Sequence, residues 1–243
     1  MNTNPFQNSQ DLYQKRFENA NLAEDQSHVS TFMTKVYGWM FLGLMLTAIV
    51  AFYTASSEAL LQIILGNRIL FFGLIIGQLF LVGFLAVRIQ KMSAAVATMV
   101  FLGYSILNGL TFSLILLAFT AGSLFTVFAI TAGTFGIMSA VGYFTKQDLS
   151  SFGKIMFMGL IGIILASLVN FFMKSETLYW IISYVGVAVF VGLIAYDTQK
   201  IKEYAYLETE EDRKKGAIMG ALALYLDFVN LFIFLLRLFG DRR

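Results

Sequence analysis

"GAIMGALALYLDFVNLFIFLLRLFG", Gly216 to Gly240, decides the fold. One acid, Asp227, and one base, Arg237, are the only charges in the run. An α-helix rises about 1.5 Å per residue, and about 20 apolar residues cross the hydrocarbon core of a bilayer. The run is therefore long enough to span. It holds Asp227 ten residues past Ala217, roughly 15 Å along the helix and well inside the hydrocarbon.

The rest of the chain agrees with that reading. Of 243 residues, 58% are hydrophobic and only 13% charged, against about a quarter charged in a soluble domain. Twenty glycines supply the small side chains that let membrane helices approach one another. The absence of cysteine excludes disulfides, thiolate metal sites and a cysteine nucleophile. Seven apolar runs are long enough to cross a membrane: 32–54, 69–90, 94–118, 123–145, 155–173, 178–199 and 217–239. The expected fold is an all-α polytopic membrane protein with seven transmembrane helices.

Residues 1–31 are polar, lack the order of a cleaved signal peptide and are expected to form a disordered cytosolic tail ahead of one membrane domain, 32–243. His28, the only histidine, is read as a solvated tail residue without partner groups. "SSEALLQIILGNR" between the first two spans suits a short interfacial helix, and "KEYAYLETEEDRKKG" is the one linker with the length and charge of a real loop.

Cytosolic loops of membrane proteins carry an excess of Lys and Arg. With the N-terminus inside, the inner segments hold twelve: Lys15, Arg16, Lys35, Arg88, Lys91, Lys146, Lys154, Lys200, Lys202, Arg213, Lys214 and Lys215. The outer loops hold two, Arg68 and Lys174. The expected orientation is N-terminus cytosolic. Arg237, Arg242 and Arg243 run against the count, so either the last segment crosses fully and leaves them outside, or it dips in and returns.

An ionised carboxylate at bilayer depth costs about 2.5 to 3.5 kcal/mol even on insertion scales, so Asp227 requires a partner, a cavity or a proton. At 100° per residue, Gly216, Gly220, Ala223, Asp227 and Asn230 share a stripe about 80° wide. Such a small and polar stripe is expected to face other helices, with lipid behind it. A second acid, Asp197, closes the preceding span in "GLIAYDTQKIK", Gly192 to Lys202. It has two readings: an interfacial acid paired with Lys200 three residues on, or a partner of Asp227. An acid in the last turn of a helix opposes the macrodipole, which speaks against a purely structural choice. Consecutive spans run antiparallel and both acids lie in the cytosolic half, so they can meet. Carboxylates in contact share a proton and titrate as a pair. Without that proton they become hard oxygen ligands suited to Ca²⁺. Asn230 and Tyr196 are the polar neighbours expected to support the pair. Arg88, near the cytosolic end of the second span, is either a latch that neutralises one carboxylate or a snorkelling positive-inside residue.

In "GLIAYDTQKIK" and "ALALYLDFVNLFIFLLRLFG" the chain resembles the Bax inhibitor family of integral membrane proteins, with their YDTQ-type and YLDFxNLFxxLLR-type elements. The likeness extends from about residue 33 to the C-terminus and takes in "VYGWMFLGLMLTA", "LNGLTFS" and "TKQDLSSFGKIMFMGLIGIILASLVNFF". The resemblance implies six spans around a hydrophobic central seventh, and a pH-sensitive Ca²⁺ leak in some bacterial members. It places Asp197 and Asp227 on the family's diaspartyl sensor and aligns Arg88, on less distinctive sequence, with an arginine latch. It further implies suppression of cell death in eukaryotes and membrane-protein quality control in some bacterial relatives. The short tail and loops suit the inner membrane of a bacterium.

Rival classes fare less well. An intramembrane aspartyl protease also uses one Asp on each of its sixth and seventh spans, the first in a Tyr-Asp dipeptide, and "AYD" fits it. "LYLD" does not resemble GxGD, and the only proline is Pro5. Serine-type proteolysis lacks a membrane-embedded histidine, and metal-dependent catalysis lacks His and Cys ligands. The expectation is no enzyme and no cofactor, with Ca²⁺ as permeant ion and the bilayer as partner. A proton-coupled transporter and a non-conducting regulator that binds a membrane protease are the alternatives. No nucleic acid is expected as a partner.

Overall fold

Polar residues punctuate the apolar runs where helices begin. The hydroxyls of Ser57, Ser93, Thr120, Ser175 and Thr209 and the amide oxygen of Asn67 each accept a backbone N–H of the first turn that follows, satisfying donors a helix leaves unpaired. The computed structural model describes residues 5–243, with side chains from Asp25 onward. Its helices are α1 (Pro5–Ala55), the short α2 (Glu58–Gly66), α3 (Arg68–Arg88), α4 (Ala94–Ala118), α5 (Ala121–Phe144), α6 (Ser150–Met173), α7 (Glu176–Lys202) and α8 (Glu210–Phe239). All except α2 are long and apolar enough to cross a membrane. The seven expected spans are present. Ahead of α6 the exposed Asp148 carboxylate accepts the Ser150 N–H at 2.8 Å, and the Ser150 hydroxyl together with that N–H holds it below the usual carboxylate range.

The helices alternate in direction. The Glu211 carboxylate accepts the Ala94 N–H at 2.6 Å, so α4 and α8 begin at one end. At the other, Thr120 N–H donates to the Asp241 carbonyl and Arg243 N–H to that of Ala118. α8 stands in the middle against α1, α4, α5 and α7, while α3 leans on α4 and α6 on α7 at the periphery. The peripheral helices present Ile76, Phe80, Phe157 and Met158 outward, apolar side chains suited to lipid.

Three expectations change and one open alternative is decided. First, α8 has no lipid face, as the resemblance implied and the stripe alone did not: Ile218, Tyr225 and Leu236, opposite the small stripe, are buried as Asp227 is. A helix apolar all round belongs in the centre of a bundle, so the stripe is one interface among several. Second, residues 5–31 of the expected disordered tail are helical, the start of α1, and from Val29 this helix carries an apolar stripe that continues through Phe32, Met33 and Val36, all buried. His28, on the same turn, has its ring centroid 6.3 Å from that of Tyr206. Residues 1–4 of the expected tail lie outside the described residues. Third, the charged linker is mostly helix: Glu203–Tyr206 form a 3₁₀ turn, Thr209 caps α8, and Leu207–Thr209 alone join the two. Fourth, α8 runs unbroken for 30 residues, about 45 Å at 1.5 Å per residue, so the last segment crosses without returning. Its terminal arginines are stowed on aromatic faces, Arg237 at 5.2 Å from the Phe234 centroid and Arg242 at 5.9 Å from that of Phe119.

A polar chain bolts three helices together beside the centre. The Asn108 amide donates to the Tyr225 hydroxyl at 3.0 Å, that hydroxyl lies 2.6 Å from Thr47 Oγ1, and Thr47 donates to the Ser105 carbonyl at 3.0 Å. All four residues are buried. Hydrogen bonds between membrane helices contribute about 0.6 kcal/mol each on average. Tyr225→Phe removes two of them, and a loss of about 1 kcal/mol in resistance to SDS-driven unfolding is expected. No change would mean that Asn108 and Thr47 find other partners at no cost.

Candidate functional site

The antiparallel register of α7 on α8 is set by small residues. A side chain at Gly216 would meet Tyr204, and one at Gly220 would meet Ile201 at 2.8 Å, so the helices close on each other at their shared end. Further in, Phe190 stacks on Phe234 with centroids 5.7 Å apart. Between these contacts the same register brings Asp197 opposite Asp227. The two carboxyl groups lie within hydrogen-bonding reach.

Burial makes that meeting consequential. Asp227 is 4% exposed, and its Oδ2 has no hydrogen-bond partner among the described residues. Ionised carboxylates only accept, so two of them facing each other form a bond only when one carries a proton. The remaining ionisable neighbours belong to Asp197: Lys200 and Tyr204. Lys200 does not pair with it at ion-pair distance among the described residues; its ammonium sits 5.7 Å from the Tyr196 ring centroid. The flanking Thr198 is fixed to α5 by a 3.1 Å contact with the Ser139 hydroxyl. Gln199 clamps the α5–α6 connection, accepting from Leu149 N–H at 2.8 Å and donating to the Gln147 carbonyl at 2.8 Å.

The other sequence candidates lie apart from the pair. Tyr196 packs its ring against Gly153 of α6. Asn230 donates to the Leu226 carbonyl of its own helix at 2.8 Å. Arg88 is exposed at the end of peripheral α3 and forms no ion pair among the described residues, the posture of a snorkelling cation. Sequence reasoning did not single out Ser139 and Thr198, or the chain from Asn108 to Thr47. The available signal was the occurrence of Ser, Thr and Asn within otherwise apolar spans, which is how membrane helices are joined.

The arrangement can hold one proton between two carboxyls. Among the described residues no cluster of three or more His, Cys, Asp or Glu is present, and Ca²⁺ takes six to eight oxygens. Two carboxylates alone supply fewer oxygens than a resident Ca²⁺ takes.

Comparison with known proteins agrees with these elements. The family model described as inhibitor of apoptosis-promoting Bax1 matches residues 29–243. The chain is 53% identical over 225 residues to the inner membrane protein YbhL of Escherichia coli, covering 91% of this chain and 96% of that protein. An uncharacterized protein of Deinococcus radiodurans is 45% identical, covering 88% and 92% of the two chains, and an uncharacterized membrane protein of Streptococcus pyogenes is 38% identical, covering 87% and 93%. The match begins at Val29, where the buried stripe of α1 begins, and takes in both aspartates. The chain belongs to the Bax inhibitor family of integral membrane proteins.

Proposed function

We propose that this protein is a pH-gated, Ca²⁺-permeable leak of a bacterial inner membrane, with its N-terminus cytosolic and the Asp197–Asp227 pair as the gate. One observation carries the reading: Asp227 is buried with one oxygen lacking a partner among the described residues, and the Asp197 carboxyl lies within reach of it, so a proton shared between the two would satisfy it. Protonated, the pair ties α7 to α8 and the path stays closed. Loss of the proton sets two negative charges against each other in a medium that screens them poorly. The helices then separate at that level, and the exposed carboxylates attract a divalent cation. Ca²⁺ is cargo in this account, and no chemical transformation takes place. The excess of Lys and Arg at the end where α1, α4 and α8 begin supports the cytosolic assignment, and the name of the Escherichia coli relative supports the inner membrane.

The shared proton is testable without measuring transport. Infrared difference spectra of the protein in lipid, taken as pH rises, are expected to show loss of a protonated-carboxyl C=O band that is absent from Asp227→Asn. A band that persists unchanged in that variant would assign the proton elsewhere and defeat the pair.

A further inference from the structure

Where α1 passes the amino ends of α4 and α8, a cavity of about 930 Å³ opens between the three helices. It is separate from the aspartate pair, and its walls change character with depth. His28 and Lys35 of α1, with Arg213 and Lys214 of α8, are its exposed or half-buried rim, while the half-buried Trp39 and the buried Ala217 and Ile218 line its inner side. The rim is under-neutralised. Glu210 is its one acid and is bound to Lys214 at 2.9 Å. Lys35 has no ion pair among the described residues, and Arg213 gives only Nη1, to the carbonyls of Leu207 and Glu208. The amino ends of α4 and α8 also meet here, adding positive potential. That potential already holds one anion, the Glu211 carboxylate on Ala94 N–H.

We propose that this cavity binds an anionic phospholipid, its phosphate between Lys35 and Arg213 and its acyl chain along Trp39 and Ile218. The cations sit where helices of a membrane bundle emerge, the level of a headgroup. Basic pockets between membrane helices suit such headgroups, and a tryptophan below the rim suits the interface. A free phosphate ion would account for the cations but leave the apolar wall without a role. Three rim cations against one acid exclude a zwitterionic headgroup as the better match.

The test uses full-length protein in a neutral detergent with three additives: a short-chain phosphatidylglycerol, a phosphatidylcholine of the same chain length, and inorganic phosphate. Binding is read by native mass spectrometry and by the lipid-dependent rise in melting temperature. Tighter binding of the anionic lipid, on the order of tenfold, is expected. Lys35→Gln with Arg213→Gln should abolish that preference. Arg68→Gln with Arg243→Gln removes the same charge at the opposite end and should leave it intact. Lys35→Glu alone, at an exposed position, serves if the double variant does not fold, and should likewise remove the preference. The proposal is overturned if both lipids bind alike, if the preference survives the rim substitutions, if the distant substitutions lower it equally, or if inorganic phosphate stabilises the protein as well as the lipid does.

Discussion

Gly142→Leu is expected to destabilise the bundle by about 3 kcal/mol or more, the largest structural effect of any single substitution considered. A Cβ at Gly142 would fall on the carbonyl of Ala195, so the obstruction is backbone of α7 and cannot be relieved by rotating a side chain. Helices α5 and α7 must separate. The strain falls within a turn of the Ser139–Thr198 contact and two residues before Asp197. Gly136→Leu on the same helix is the matched control, because that position is exposed and a Cβ there meets nothing within 4 Å. SDS-driven unfolding followed by tryptophan fluorescence or circular dichroism should separate the two variants by most of that 3 kcal/mol. Equal behaviour would mean that the close approach of α5 to α7 carries no stability.

Neutralising either member of the acid pair is expected to have the largest effect on transport. Asn has the shape of a protonated Asp and keeps a donor for the opposite oxygen, so Asp227→Asn and Asp197→Asn should each preserve the closed contact at every pH. The sign follows from proton linkage. The closed state holds one more proton than the open state, so lowering pH favours closure and raising it favours opening. One linked proton changes the open-to-closed ratio by at most about tenfold per pH unit, or about 1.4 kcal/mol. Ca²⁺ entry through the native chain should therefore rise with pH, and either Asn variant should stay near the closed level throughout. Variants that conduct freely at all pH would instead make the acids dispensable to closure.

The number, order and length of the spans were legible because lipid demands long apolar helices and the chain states them one after another. Capping hydroxyls such as Ser93, Thr120 and Ser175 lie within three residues of the expected starts. The two acids were legible for the opposite reason, as charges that a bilayer tolerates only with a role. What one helix shows about itself did not extend to its neighbours. The burial of α8 on every side was implied by the resemblance alone: it depends on α1, α4, α5 and α7 converging on it, and its apolar residues look alike whether they meet lipid or protein. The stripe of Gly216, Gly220 and Asp227 was visible, but that Tyr204 and Ile201 fill the hollows and so set the register of Asp197 was not. Val29 was lost among polar neighbours, so the helical extension of α1 went with it. Lys200 sits three residues from Asp197, yet cation–π attraction to Tyr196 draws it aside, an outcome that spacing alone does not distinguish from an ion pair.

The gate is tested most directly by Ca²⁺ entry into liposomes reconstituted with the native chain, Asp197→Asn and Asp227→Asn, measured between about pH 5 and 8, the range in which a raised carboxyl or a histidine titrates. The account predicts entry that climbs with pH in the native protein and stays flat and low in both variants. Entry no greater than that of empty liposomes, or variants that follow the native pH profile, would contradict it.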